Sequence, residues 1–242
     1  MTSASETPRD GLLKTLSLSL RYALPVMLGY VMIGLPCGLM ENAIGFSPVL
    51  CFVLSCTFYS GAGQFMIPNL WLAGVPLYSI IASVSFVNTR QILYAAAFAP
   101  YFSGVDALTS FLFSATVTDE SFGVNMERFQ TSDSWTALHA LLVNVCCMLS
   151  WATANALGCL LGSVLNLPLA ITSFAMTSIF ICLLVGQKIT KQSAVVIAVA
   201  AAGVVVCKLV GLSGPAILLG AVFGVVAGMV YGRVERGANE RA

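Results

Sequence analysis

The sequence predicts an all-α polytopic membrane protein of about eight transmembrane helices, some of them broken at mid-membrane, with both termini cytoplasmic. Three observations carry that prediction. Hydrophobic residues make up 58% of the 242 positions and charged residues only 9%, against about 25% charge in a soluble domain. The apolar residues fall in long runs separated by short proline-, glycine- or charge-marked joints, and about 20 residues suffice for each crossing. The basic residues fall almost entirely on one side once those runs are counted as crossings. One transmembrane transport domain, residues 22–231, then lies between a cytoplasmic tail at 1–21 and another at 232–242, and no large extramembrane domain fits.

Span one runs from Tyr22 to Met40, carries the small-residue pair Gly34 and Gly38, and ends at Glu41-Asn42. Small residues four apart let helices approach closely. Span two runs from Pro48 to Leu72 and holds Ser60-Gly61-Ala62-Gly63-Gln64 near its middle, a composition that predicts a broken or closely approached helix. Such backbone is tolerated at depth only against protein or a water-filled cavity. Span three lies between Pro76 and Phe102. Span four, Ala107 to Phe129, meets Thr118-Asp119-Glu120-Ser121 near its midpoint and reads either as a crossing or as a re-entrant loop. Span five covers Trp135 to Gly162, span six Pro168 to Val185, span seven Ser193 to Val210 and span eight Pro215 to Tyr231. A glycine pair, Gly158 and Gly162, precedes Pro168 much as Gly34 and Gly38 precede Pro48, a faint internal echo.

Eight crossings put Arg9, Lys14, Arg21, Arg128, Lys188, Lys191, Arg233, Arg236 and Arg241 on one side and Lys208 alone on the other. Basic residues concentrate on the cytoplasmic side of membrane proteins, so that side holds both termini. A re-entrant span four would move six of those nine outward, unless a second segment also fails to cross.

The eight cysteines, Cys37, Cys51, Cys56, Cys146, Cys147, Cys159, Cys182 and Cys207, all sit in apolar runs. They read as small apolar fillers rather than as a disulfide framework or a metal site. No cofactor is expected. A net charge of +1 gives no reason to expect nucleic acid, and the chain shows no nucleophile–base pair, metal cluster or phosphate loop of an enzyme.

Between Glu41 and Asp106 one residue is charged, Arg90. It sits near the middle of span three, where a charge costs about 3 kcal/mol by insertion scales. A chain keeps such a group when it is paired, wetted or used. Spans two, three and four each place polar residues at that depth, where transporters hold their substrates. Gly61, Gly63 and Gln64 come from span two, Asn88 and Arg90 from span three, Asp119 and Glu120 from span four. An arginine fork suits a carboxylate. Asp119 or Glu120 then either meets an ammonium group, carries a proton, or pairs Arg90 as a structural lock between helices. Glu41 is read as a helix-end carboxylate or as a further proton or ion-pair group.

LPVMLGYVMIGLPCGLM, Ser60-Gly61-Ala62-Gly63-Gln64-Phe65, VNTRQILYAAAFAPYF, Thr118-Asp119-Glu120-Ser121-Phe122 and FAMTSIFICLLVGQ occur in that order over residues 23–187. In these stretches the chain resembles the AzlC family of bacterial branched-chain amino-acid permeases. The resemblance implies a secondary exporter of valine, leucine and isoleucine, with methionine as a further substrate. It implies coupling to protons, residence in the bacterial inner membrane, and a separately encoded small AzlD-like membrane subunit as partner. A homo-oligomer is compatible with it. Two positions depart from the family pattern: Gln91 stands where a histidine is usual and Ser173 where an aspartate is common. Their loss leaves Asp119, Glu120 and Glu41 as the carboxylate candidates for proton coupling. A facilitator or channel for another small polar solute, and a non-transporting partner subunit, are the alternative functions.

Overall fold

In the computed structural model, residues 8–165, 190–211 and 216–239 are described, together with positions 174, 178, 181 and 185. Span six, with Ser173, Gln187 and Lys188, lies outside the described residues apart from those four positions. Every regular element among the described residues is helical, in line with the predicted class. The helices are α1 (Pro8–Ala43), α2 (Pro48–Thr57), α3 (Gly61–Leu72), α4 (Leu77–Phe98) with a 3-10 turn at Ala99–Phe102, α5 (Ala107–Thr116), α6 (Asp119–Thr131), α7 (Ala137–Leu165), α8 (Lys191–Leu209) and α9 (Ala216–Asn239). Gly11–Ala43, Ala137–Leu165 and Lys191–Leu209 are both long and apolar enough to cross a membrane. The 22 residues of α4 give about 33 Å at 1.5 Å per residue, but Asn88, Arg90 and Gln91 dilute its apolar character. α1 begins 14 residues before the expected start of span one, and α9 runs 8 residues past the expected end of span eight.

Local chemistry explains where the helices stop. α1 ends in a turn at Gly45, whose φ of 88° is open to glycine at no steric cost. Ser47 then caps α2 by accepting from the Leu50 N–H, with Pro48 in the first turn. Asp106 caps α5 by accepting from the Thr109 N–H at 2.8 Å, and that bond holds its carboxyl below the usual carboxylate range. Thr118 caps α6 in a reciprocal arrangement with Ser121. Each cap satisfies N–H groups that a helix start leaves open.

The chain divides into two compact units. One comprises residues 1–68 and 88–176, the other 69–87 and 177–242. In the first, α1 and α7 lie side by side and run in the same direction. Ser19 Oγ donates to the His139 carbonyl and Ser150 Oγ to the Met27 carbonyl, while Gly162 abuts Asn42. The glycine pairs that echo one another in sequence face one another here. A methyl group on Gly38 would run into the Asn155 carbonyl, and one on Gly158 into the Leu35 carbonyl. The small residues therefore set the distance between the helices.

Spans two and four are pairs of half-length helices that turn back. Residues nine apart in an unbroken helix are separated by about 13 Å, yet Gln64 Nε2 donates to Ser55 Oγ at 2.7 Å. The chain therefore folds at Phe58–Ser60. Phe113 and Phe129, 16 residues apart, both pack on Phe98, at 4.9 and 5.9 Å, and on Phe102, at 4.4 and 6.2 Å. A straight continuation would part them by about 24 Å, so α5 and α6 fold back at Val117–Thr118. Asn144 bridges the two arms: it donates to the Phe113 carbonyl and accepts from Asn125 Nδ2.

The hairpins enter from opposite ends of α1. The base of α2–α3 lies at Glu41, whose carbonyl accepts from the Phe46 N–H, and its tip puts Tyr59 against Tyr30, ring centres 6.4 Å apart. The far end of α5–α6 puts the Arg128 guanidinium over Tyr22 at 4.4 Å, and its tip puts Thr118 against the Tyr30 hydroxyl at 2.8 Å. The two tips thus meet at the level of Tyr30, near the middle of α1. The open question over span four is answered as a re-entrant turn, and span two is its counterpart. Two returns remove two of the eight expected crossings and leave the parity of the count unchanged.

In the second unit α8 and α9 run antiparallel along a seam of small residues. Gly220, Gly224 and Gly228 of α9 lie against Ala200, Val204 and Val196 of α8. Gln192 Nε2 donates to the Gly228 carbonyl at 2.8 Å.

Candidate functional site

The site is built where α4 passes the two tips. A folded-back pair of helices leaves backbone groups unpaired at its turn, and side chains of α4 take up part of that deficit. Ser60 Oγ donates to Asn88 Oδ1 at 2.5 Å and accepts from the Gly63 N–H at 3.1 Å. Gln91 Nε2 donates to the Tyr59 carbonyl at 3.1 Å. One face of α4 therefore grips the first tip through two neutral amides. Gly63 is buried, and a methyl group there would meet Ser60 Oγ at 2.8 Å and the Phe58 ring at 3.0 Å, so any larger residue would displace the side chains of the turn. Gly61 faces Trp151, with nothing nearer than 3.9 Å to an added methyl.

The second tip meets α4 through charge. Arg90 Nη1 lies 2.7 Å from Asp119 Oδ2, and each side chain keeps 39% of its surface exposed. Arg90 Nε is buried and has no acceptor. Asp119 and Glu120 open the first turn of α6, where acidic side chains favour the positive end of the helix dipole. Glu120 Oε2 accepts from the Tyr30 hydroxyl at 2.7 Å. Tyr94 and Phe122 pack at 4.8 Å, their rings tilted by 33°, beside this pair. The Tyr59 hydroxyl is buried and makes no hydrogen bond.

Gln64 and Glu41 stand one layer away, in a separate buried network. Gln64 is fully buried. Its Nε2 donates to Glu41 Oε1 and to Ser55 Oγ, both at 2.7 Å, and its Oε1 accepts from Trp151 Nε1 at 2.8 Å. One carboxamide thus ties α1, α2 and α7 to α3.

Of the residues expected from sequence, Arg90, Asn88, Gly63, Asp119 and Glu120 come together at the tips. Gly61 lies beside them, and Gln64 and Glu41 form the network behind. Sequence reasoning missed Tyr30, Tyr59, Trp151 and the Asn125–Asn144 pair. An asparagine inside an apolar run was the available signal for Asn144. No group of three or more metal-ligating side chains occurs among the described residues.

A multi-pass membrane protein with two re-entrant hairpins converging on a half-exposed ion pair is the class that fold and site define. The profile of the AzlC protein family matches residues 25–165, which include both hairpins, Arg90 and α7. The chain belongs to the AzlC family. It is 23% identical over 169 residues to the branched-chain amino acid transport protein AzlC of Bacillus subtilis, covering 69% of this chain and 65% of that protein. It is 25% identical over 216 residues to the inner membrane protein YgaZ of Escherichia coli, covering 87% and 84%. A Helicobacter pylori J99 protein described as an uncharacterized membrane protein is 28% identical over 176 residues, covering 69% and 72%. No solved structure matches the chain.

Proposed function

We propose that the chain is a secondary transporter that exports the branched-chain amino acids, and methionine besides them, across the bacterial inner membrane. Export is coupled to protons, and the chain is the large subunit beside a small AzlD-like membrane protein. The Bacillus relative is named for branched-chain amino acid transport, and the chemistry of the tips suits that class of solute. The observation that carries the reading is the half-used guanidinium of Arg90: Nη1 holds Asp119, while Nε has no acceptor. A zwitterion matches this pair. Its carboxylate takes the guanidinium fork, its ammonium takes Asp119 or Glu120, and an aliphatic side chain packs against Tyr94 and Phe122. Substrate then replaces the ion pair that closes the empty site, which holds the net charge at the tips constant. Asn88 and Gln91 keep the first tip in place while the second opens.

Cells fed valine- or leucine-containing dipeptides give the test. Expression of the chain with its small subunit speeds efflux, and a protonophore abolishes the gain. Arg90→Lys keeps the charge and loses the fork, so the rate falls roughly tenfold or more, the effect of one charge-assisted hydrogen bond. Wild-type efflux from membranes containing Arg90→Lys overturns the role of the fork. Efflux that survives the protonophore makes the protein a facilitator.

A further inference from the structure

The buried network behind the tips contains a carboxyl group that the substrate reading does not use. Glu41 is 1% exposed. Its Oε1 accepts from Gln64 Nε2 at 2.7 Å, and its Oε2 has no hydrogen-bond partner of good geometry. The titratable groups that face it are thiols: Cys37 on α1, Cys51 on α2 and Cys159 on α7. Gln64, Ser55 and Trp151 complete the surroundings, and no cation is among these neighbours. The Arg90 guanidinium is committed to Asp119 at the tips.

A buried carboxylate with one amide and one thiol as its donors and no cation is far from stable, because burying a charge without a counter-ion costs several kcal/mol. A neutral carboxylic acid fits. Gln64 then donates to the carbonyl oxygen and the proton rides on Oε2, while Cys51, the thiol that faces this carboxyl, can turn from donor to weak acceptor. Releasing that proton leaves an anion that needs water. Water reaches it only if the α2–α3 hairpin draws away from α1 and α7, since Gln64 closes the layer by bonding to all three neighbours at once. The tip of that same hairpin is what Asn88 and Gln91 hold beside Arg90.

We infer that Glu41 is kept as a neutral acid in this conformation, and that it is the residue whose proton is released to water when the α2–α3 hairpin opens, which couples proton movement to the tip beside the substrate. Asp119 and Glu120 are thereby left to the solute. The coupling half of this inference rests on the transport reading; the neutral state of Glu41 does not.

Two measurements separate them. Infrared spectra of the purified chain with its small subunit at neutral pH, wild type minus Glu41→Gln, contain the carbonyl stretch of a protonated carboxylic acid. A carboxylate difference in its place overturns the neutral state, whatever the protein transports. In proteoliposomes, wild-type valine exchange varies with pH. Glu41→Gln, which mimics the neutral acid, still exchanges valine, but with a flat pH profile and no uphill movement driven by a proton gradient. A pH profile identical to wild type overturns the coupling role, and so does loss of all exchange in a variant that unfolds at the wild-type temperature. Absence of valine exchange in the wild type refutes the substrate reading, and the infrared result then stands by itself.

Discussion

Hairpin α2–α3 turns on Tyr59 and Ser60 and is closed by neutral groups: the Gln64 carboxamide, Ser55, the Trp151 indole and the amides of Asn88 and Gln91. Hairpin α5–α6 turns on Val117 and Thr118 and carries two carboxylates on its returning arm, one of them on Arg90. The first keeps its key polar residues fully buried, while the second leaves its ion pair 39% exposed on both sides. A half-helix can hold its place by pairing most of its polar groups in the interior, or it can present charge and depend on a partner. In the proposed transport reading, this difference gives the first hairpin packing and proton balance and the second the solute.

Gln64→Leu breaks the comparison most strongly. It strips partners from Glu41 Oε1, Ser55 Oγ and Trp151 Nε1 while keeping a side chain of similar bulk. Each orphaned buried group costs about 1–3 kcal/mol, so thermal unfolding in detergent shifts down by the equivalent of several kcal/mol. A shift no larger than that of an exposed control such as Leu108→Ala would show that the network does not hold the hairpin. Asn144→Leu is the matching cut on the other side. It takes one partner from the Phe113 carbonyl and one from Asn125 Nδ2, but Thr116 Oγ1 still reaches the former at 3.3 Å and the Ala140 carbonyl still accepts from the latter at 3.4 Å. The expected loss is smaller, about 2–3 kcal/mol, and the same melting assay ranks the two.

Much of this was legible in sequence, for a physical reason that also marks where legibility ends. Arg90 stands out because no other charge occurs between Glu41 and Asp106. Both breaks stand out because polar and glycine residues interrupt apolar runs at mid-depth. The direction after a break does not show, since a kinked crossing and a returning hairpin have the same composition. It is decided by single long-range bonds, Gln64 to Ser55 and Asn144 to both Phe113 and Asn125. The positive-inside count was blind to the outcome because two returns cancel. The glycine echo between Gly34/Gly38 and Gly158/Gly162 reads in sequence as a hint of repetition, and in three dimensions the two pairs are packing partners. Glu41 reads as a helix-end carboxylate and does stand in the last turn of α1, which ends at Ala43; its burial is what the sequence does not show.

The smallest effect tests how independent the second tip is. Thr118 caps α6 and shares its hydroxyl with Tyr30. Thr118→Val keeps the shape and removes the oxygen. Losing an N-cap costs about 1 kcal/mol, and Tyr30 retains its bond to Glu120, so the melting temperature moves only slightly. Asp119 and Glu120 sit on the turn that this cap orders, however, and a frayed turn misplaces the carboxylate opposite Arg90. Export is therefore expected to fall several-fold, more than the stability loss alone would give, and Thr118→Ser restores it. Equal, small losses in both measurements would mean that the ion pair is positioned by Arg90 alone, and that α5–α6 is as much a packing element as α2–α3.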